Sequence, residues 1–326
     1  MTAQYGRIDL RIRARNGKRG DGPVIAAILS RSDRRLAALG SAAGLLLDRL
    51  LADDLVRAGC IEASAAGGPW TVEAAGLSTF LSEEVAEAYL ARPEPHFAAR
   101  LVERSLAGEG TLFLDDGAIG RANAGGGLNL FILGFGYTYP AESPHVGALL
   151  ARAIEHFVSA HAGFRLKRLM REDPAPIAEM FQRSGMRTLV EFPDEAGAGA
   201  ARVATLLERH DINPLFPYSP ATALFQFAAP HIGFSRAERR MLAAALDGCS
   251  DADLATVLGI SPNTVKRTWR AVFDRAGEKA PYILGPATDA PQSEGVRGHE
   301  KRRHLLTYLR DNPQELRPYA FPAARS

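Results

Sequence analysis

The stretch "HVGALLARAIEHFVSAHAGFRLKRLMREDPAPIAEMFQRSGMRTLVEF", His145 to Phe192, decides the fold because its hydrophobic period keeps changing. From His145 to His161 the apolar residues recur at helical intervals, and Gly163 stands just past the end, where a helix stop is expected. "FRLKRLM" then reads as a strand, "APIAEMFQRSG" as a second helix and "MRTLVEF" as a second strand. Strands alternating with helices predict an α/β or α+β body rather than an all-helical one.

Working outward toward the N-terminus, "YGRIDLRIRA" alternates Ile8, Leu10 and Ile12 with charges, the pattern of a half-buried strand. A helical stretch is expected from about Asp33 to Ala58, carried by Leu36, Leu39, Leu46, Leu50 and Val56, and "ASAAGGPWTVEAAG" interrupts it. Ser82 is a good cap for a helix opening "EEVAEAYL", with Glu83 and Glu84 at the positive end of its dipole. "GTLFLDDG" reads as a short strand closed by an Asp-Gly turn. "GLNLFILGFGYTYP" is the most strand-like run in the chain, and a hairpin through "AIGRAN" and Gly125 to Gly127 is the simple connection. Asp115 and Asp116 read as turn residues, and the apolar strand is a candidate pocket wall. Gly134 and Gly136 within it mark either a bulge or a close backbone approach.

Composition bounds the function. With 326 residues, 46% of them apolar, the chain has material for a large core and about two domains. No apolar run is long enough to span a bilayer, and the basic N-terminus has no apolar segment behind it to make a secretory signal. Two distant cysteines, Cys60 and Cys249, fit free thiols in a cytoplasmic protein and argue against a disulfide scaffold or a Cys-rich zinc site. The net charge of +2 is uneven: Phe234 to Ser326 holds 15 basic and 11 acidic residues, leaving the rest slightly acidic. His156 and His161 are five apart, not the spacing of a helical zinc pair, and neither a P-loop nor a G-x-S-x-G elbow occurs. No cofactor, metal or catalytic residue is expected from these patterns.

Between Pro193 and about Phe234 the chain is rich in Ala, Gly and Pro, with "AARVATLLERH" as an interrupting helix. The expected organisation is a body over 1–195, a connector over 196–233, a helical domain over 234–278, and a flexible segment with one short helix over 279–326. In 234–278 the helix signals are dense. Ser235 and Ser250 each precede an acidic residue at capping-box spacing, and Ser261 caps a third helix with Pro262 at its first position. Gly259 allows a tight connection, Ala255 permits a close crossing, and Val265, Trp269, Val272 and Phe273 form the buried stripe of the third helix. Asn263, Lys266, Arg267 and Arg270 are left outward, a polar and basic face suited to phosphate contact and base-edge readout.

"FSRAERRMLAAALDGCSDADLATVLGISPNTVKRTWRAVFDRAG" resembles the LuxR-type (GerE-type) helix-turn-helix of bacterial transcription regulators over about 45 residues. The resemblance implies that Thr264 and Lys266 approach double-stranded DNA, and that the protein works as a homodimer on paired half-sites. Thr268 and Trp269 depart from the family pattern. "EKAPYILGP" replaces its usual fourth helix, moving the expected dimer contact to the body or to Leu305, Leu306 and Leu309. For the body, the alternating elements are loosely like the PAS/GAF sensor group, which implies a small-molecule effector. The order of elements over 145–192 also resembles the second half of a GNAT acetyltransferase, although "SPHVGALL" stands where that family carries a Gln/Arg-x-x-Gly-x-Gly/Ala turn for the cofactor pyrophosphate. The sequence expectation is therefore a cytoplasmic, non-enzymatic DNA-binding regulator of α+β class, a mixed α/β sensor-like domain followed by an all-α helix-turn-helix domain. An acetyltransferase-like or other small-molecule enzyme with a DNA-binding tail is the alternative.

Overall fold

Seven strands share one sheet in the order β1-β2-β3-β4-β5-β7-β6. The computed structural model describes residues 10–65, 68–193, 201–212, 220–284 and 294–321. In chain order the body comprises β1 (Arg11–Asn16), α1 (Gly22–Leu29), α2 (Arg34–Ala38), α3 (Ser41–Ala52), β2 (Arg57–Ser64), β3 (Thr71–Leu81), α4 (Glu83–Ala91), α5 (Phe97–Leu106), α6 (Asp116–Ala124), β4 (Leu128–Tyr137), α7 (Val146–His161), β5 (Leu166–Pro174), α8 (Ala175–Arg183), β6 (Arg187–Phe192), β7 (Arg202–Glu208) and α9 (Pro220–Phe225). The C-terminal helices are α10 (Arg236–Leu246), α11 (Asp251–Leu258), α12 (Pro262–Lys279) and α13 (Glu294–Asp311).

Every neighbouring pair in the sheet is antiparallel except β4 and β5, which run parallel and are joined by the crossover helix α7. A parallel pair needs such a crossover, and the helix must then cover a sheet face. One face carries α1, α2, α3 and α5 over a core that includes Phe97, Phe131 and Met170. The other carries α7, α8 and α9 over Leu130, Ile132, Phe164 and Leu207.

The alternation of helix and strand over 145–192 is present as expected, and the body is a mixed α/β fold. Several local expectations are corrected. The helix expected over about 33–58 is two helices broken at Gly40, whose φ is +54, and its last residues already belong to β2. The interrupting segment "ASAAGGPWTVEAAG" lies between and within β2 and β3, two strands made largely of small residues. The expected hairpin before β4 is absent: Phe113 makes one isolated bridge to Leu81, Asp115 caps α6 by accepting from the Ala118 amide, and β4 pairs with β3 instead. "RVATLLE", expected to be helical and part of a connector, is β7, inserted between β5 and β6. Ile8 of the first expected strand lies outside the described residues.

Helices α10 to α12 carry the capping boxes anticipated at Ser235 and Ser250 and the Ser261 cap, with Gly259 at φ +63 closing α11. Val265, Trp269 and Val272 are buried against Met241, Leu242 and Leu254. Leu305 and Leu309 of α13 are 0% and 1% exposed within this same cluster, so the contact expected to be free for dimerisation closes an internal core. The segment after α13 returns to the body. Ala320 donates its amide to Gly120 O, Asn123 donates to Pro318 O, and Arg317 donates to the carbonyls of Ala162 and Ser159. From α10, Arg239 grips both oxygens of Asp116, and Arg236 pairs with Asp54. Among the described residues no helix is long and apolar enough to cross a membrane.

Candidate functional site

β4 and β5 are paired only from Leu128↔Leu166 to Ile132↔Arg171, although β4 continues to Tyr137 and β5 to Pro174. The cause lies one residue on. Against β3, Gly134 opposes Leu77 and Ile132 opposes Ser78, which leaves Leu133 as the extra residue of a β-bulge. A bulge bends its strand and strengthens the local twist, so β4 turns away from β5 where pairing ends. The sheet splits there, and one edge of each strand is left without a strand partner. Gly134 and Gly136, just beyond the bulge, face α1. A Cβ on Gly136 would stand 2.9 Å from Ile28 O, so the close approach these glycines permit is to a helix of the protein itself.

On one face the split is flanked by α7, which packs on β1, β2 and β3, and by α8, which packs on β5 and β7. His156 of α7 lies over Gly59 of β2, and Val158 packs against the core that holds Leu130 and Phe164. Gln182 of α8 bonds to Thr188 of β6, and Phe181 packs against the core that holds Leu169 and Met186. Ile154 of α7 and Ile177 of α8 are 51% and 41% exposed. Phe225 and Leu224 of α9 join the core beneath Val158. The Arg171 guanidinium lies over the Phe181 ring, 3.4 Å from its centroid, and pairs with Asp173.

The start of α7 stands at the carboxyl end of β4. Ser143 accepts from the amides of Val146 and, through its hydroxyl, His145. The amides of Gly147 and Ala148 make no hydrogen bond among the described residues, and a Cβ on Gly147 would meet nothing within 4 Å. Two prolines, Pro140 and Pro144, remove further donors from the loop. Two open amides at a helix start therefore exist here, fewer than a Gly-rich turn would supply.

On the opposite face Glu172 follows Arg171 directly. Its carboxylate accepts the amides of His96 (2.9 Å) and Phe97 (3.0 Å) and pairs with Arg202. The Phe97 ring is stacked on Tyr89 and lies edge-on to Phe131. His161 is buried far from this point, and burial pushes its imidazole down to about 3. Burial pushes the Cys60 thiol up to about 12, so it is no nucleophile at neutral pH. Glu208, His210 and Asp211 bring ligand-type atoms within 4.8 Å of one another, with Glu208 already held by Arg168 and Arg187.

The residues singled out on α12 lie elsewhere. Asn263, Lys266, Arg267 and Arg270 are exposed, with no ion pair formed by the three cations among the described residues. Thr264 is half-buried, its hydroxyl 2.9 Å from that of Ser261. They sit together on one helix face, away from the split sheet. His96, Glu172 and the split itself were not anticipated from sequence.

No family model and no curated protein matches the chain. Solved structures do show similarity. The N-acyl amino acid synthase FeeM from uncultured soil microbes is 11% identical, over 63% of this chain and 96% of its own, with a TM-score of 0.35. NAA60 of Arabidopsis thaliana, in complex with acetyl-CoA, is 10% identical over 61% of this chain and 99% of its own, with a TM-score of 0.34. The spermidine/spermine N-acetyltransferase SpeG of Vibrio cholerae, complexed with manganese ions, is 9% identical over 61% of this chain and 92% of its own, with a TM-score of 0.32. At this degree of likeness neither substrate nor residue role passes to this chain. The expectation of a non-enzymatic regulator, dimeric on double-stranded DNA through α12, is nevertheless corrected: the similar structures are acyl-group enzymes rather than DNA-binding regulators.

Proposed function

We propose that the body is an acyltransferase-like enzyme that takes a thioester acyl donor into the split between β4 and β5. The observation that carries this is the end of β4–β5 pairing at Ile132↔Arg171 while both strands continue. In open sheets ligands bind beyond the carboxyl ends of parallel strands at such a point. An extended ligand bearing amides can add to the free strand edges as a strand would. The pantetheine arm of coenzyme A has that chemistry, being an extended chain with two amides and a thioester at its end. The exposed Ile154 and Ile177 on the two flanking helices offer apolar surface for its methylenes, and the open amides of Gly147 and Ala148 suit a phosphate. The helix–strand–helix–strand order that resembles a GNAT acetyltransferase frames this split, which supports acyl transfer over other small-molecule chemistry. Coenzyme A is then a co-substrate, and the short run of open amides favours weak binding of its pyrophosphate.

The test is calorimetric titration of acetyl-CoA into the full chain. Wild type is expected to bind one equivalent, and Ile177→Asp, which puts a charge on the exposed apolar surface of α8, to weaken binding about tenfold or more. Absence of binding by wild type contradicts the reading.

For residues 234–278 we infer a LuxR-type helix-turn-helix architecture. The reading is supported by the left-handed Gly259 turn between capped helices and by Val265 seated in the core. No nucleic-acid role is assigned to it.

A further inference from the structure

We propose that His96 accepts the proton of the nucleophile that attacks the acyl donor. This rests on the acyl-transfer reading and adds a residue to it. His96 is placed by the backbone at the open end of the split: its amide and that of Phe97 are held by Glu172, one residue past the last β5 residue paired with β4. Phe97 in turn packs on Phe131 of β4, 5.2 Å between ring centroids, so the start of α5 covers the point of parting from the face opposite α7 and α8.

Three further observations converge on this residue. His96 has φ +57, one of two non-glycine residues with positive φ among those described, and such strain is retained where the surroundings impose it. Its Nδ1 is buried without a hydrogen bond, 3.5 Å from Oδ1 of Asp33. Asp33 is itself fixed, accepting the amides of Arg35 (2.9 Å) and Leu36 (3.2 Å) at the start of α2. Beside it Tyr89, 2% exposed, has a buried hydroxyl with no partner. Two of the five unpartnered buried side-chain atoms among the described residues thus belong to the residues around Glu172. Buried polar groups left unpaired call for an explanation, and a bound ligand supplies one.

In the reaction, the acceptor nitrogen forms a bond to the thioester carbonyl carbon and the C–S bond breaks, its electron pair leaving on sulfur. The nitrogen's proton passes to Nε2 of a neutral His96 whose other proton lies on Nδ1 toward Asp33. The imidazolium is then paired with that carboxylate until its proton passes to the thiolate or to water. The other charged and titratable groups around His96 are Glu172 with Arg202, Tyr89, and the Glu94–Arg100 pair.

The experiment follows free-thiol release from acetyl-CoA by the full chain, with spermidine and the twenty amino acids as acceptors. Donor affinity is measured alongside. His96→Gly keeps a residue that tolerates φ +57. It is expected to lower kcat about 100-fold with donor affinity unchanged, and added imidazole to restore part of the loss. Asp33→Asn keeps the α2 cap and is expected to lower kcat about tenfold, without rescue by imidazole. A His96→Gly chain as fast as wild type, or slowed without imidazole rescue, overturns the role of His96 and leaves acyl transfer standing. A wild type that releases no thiol above the buffer blank overturns acyl transfer, and His96 with it.

Discussion

His161 is held as a neutral imidazole by its two bonds. Nδ1–H donates to Phe157 O at 2.8 Å, and Nε2, 2.9 Å from Ser78 Oγ, accepts from that hydroxyl. Burial, with the nearby charges of Arg57 and Arg317 acting in the same direction, holds its pKa down to about 3. A base depressed on folding binds its proton in the unfolded chain first. Its contribution is therefore intact above about pH 6.5 and is lost as pH falls toward 3. Wild type should lose stability on acidification more steeply than His161→Gln, by up to about 1.4 kcal/mol per pH unit in this window. Urea denaturation at pH 7, 6 and 5 measures the difference, and parallel curves count against the account. Glu315 gives a second residue-scale prediction. It is 1% exposed and accepts the amides of His231 and Ile232, each at 2.9 Å. Glu315→Ala strands both donors and should cost about 3 kcal/mol by chemical denaturation.

At the scale of elements, the strength of a periodic signal decided what the sequence revealed. β4, α7 and the capped helices α10 to α12 were legible because long apolar runs and Ser-x-x-acid boxes report on local structure. β2 and β3 were hidden because Ala58, Cys60, Ala63, Ala74 and Ala75 are small residues buried within the sheet, with His156 of α7 pressed onto Gly59. Such strands neither alternate nor show the branched side chains that mark a strand. β7 resembles a helix in sequence because a short run buried on both faces has no decisive period. The split was illegible because it depends on one unopposed residue, Leu133, and a bulge exists only relative to a partner strand. Two backbone predictions belong here. Gly136→Val drives a branched side chain into Ile28 O, 2.9 Å from the Cβ position, and should destabilise the body by about 2 kcal/mol through displacement of α1. Gly259→Val forces a branched residue to φ +63 and should cost about 1 to 2 kcal/mol, read as a lower thermal midpoint.

For the whole molecule, the C-terminal helices are tied to the body by Arg236 and Arg239 from α10, by Asp247 at the end of α10, which accepts from Asn16, and by the returning segment through Arg317, Pro318 and Ala320. Arg317 is half-buried, with no acid bonded to it among the described residues, and burial next to Arg57 pushes its pKa down to about 9. Such a joint is made chiefly of polar contacts, and removing a few should uncouple the two parts. Arg239→Ala combined with Arg317→Ala is expected to turn a single calorimetric melting transition into two, with acetyl-CoA affinity unchanged. One unresolved transition in the double variant contradicts this joint. The proposed acyl-donor site lies within the body: the strands that part, the helices beside them and His96 all precede Asp211.

Hydrogen exchange of the full chain with and without acetyl-CoA tests the central claim most directly. If the donor lies in the parted sheet, the amides of 133–137, 147–148 and 172–173 slow on binding while those of α12 are unchanged. Protection absent from these segments, or confined to the C-terminal helices, contradicts the account.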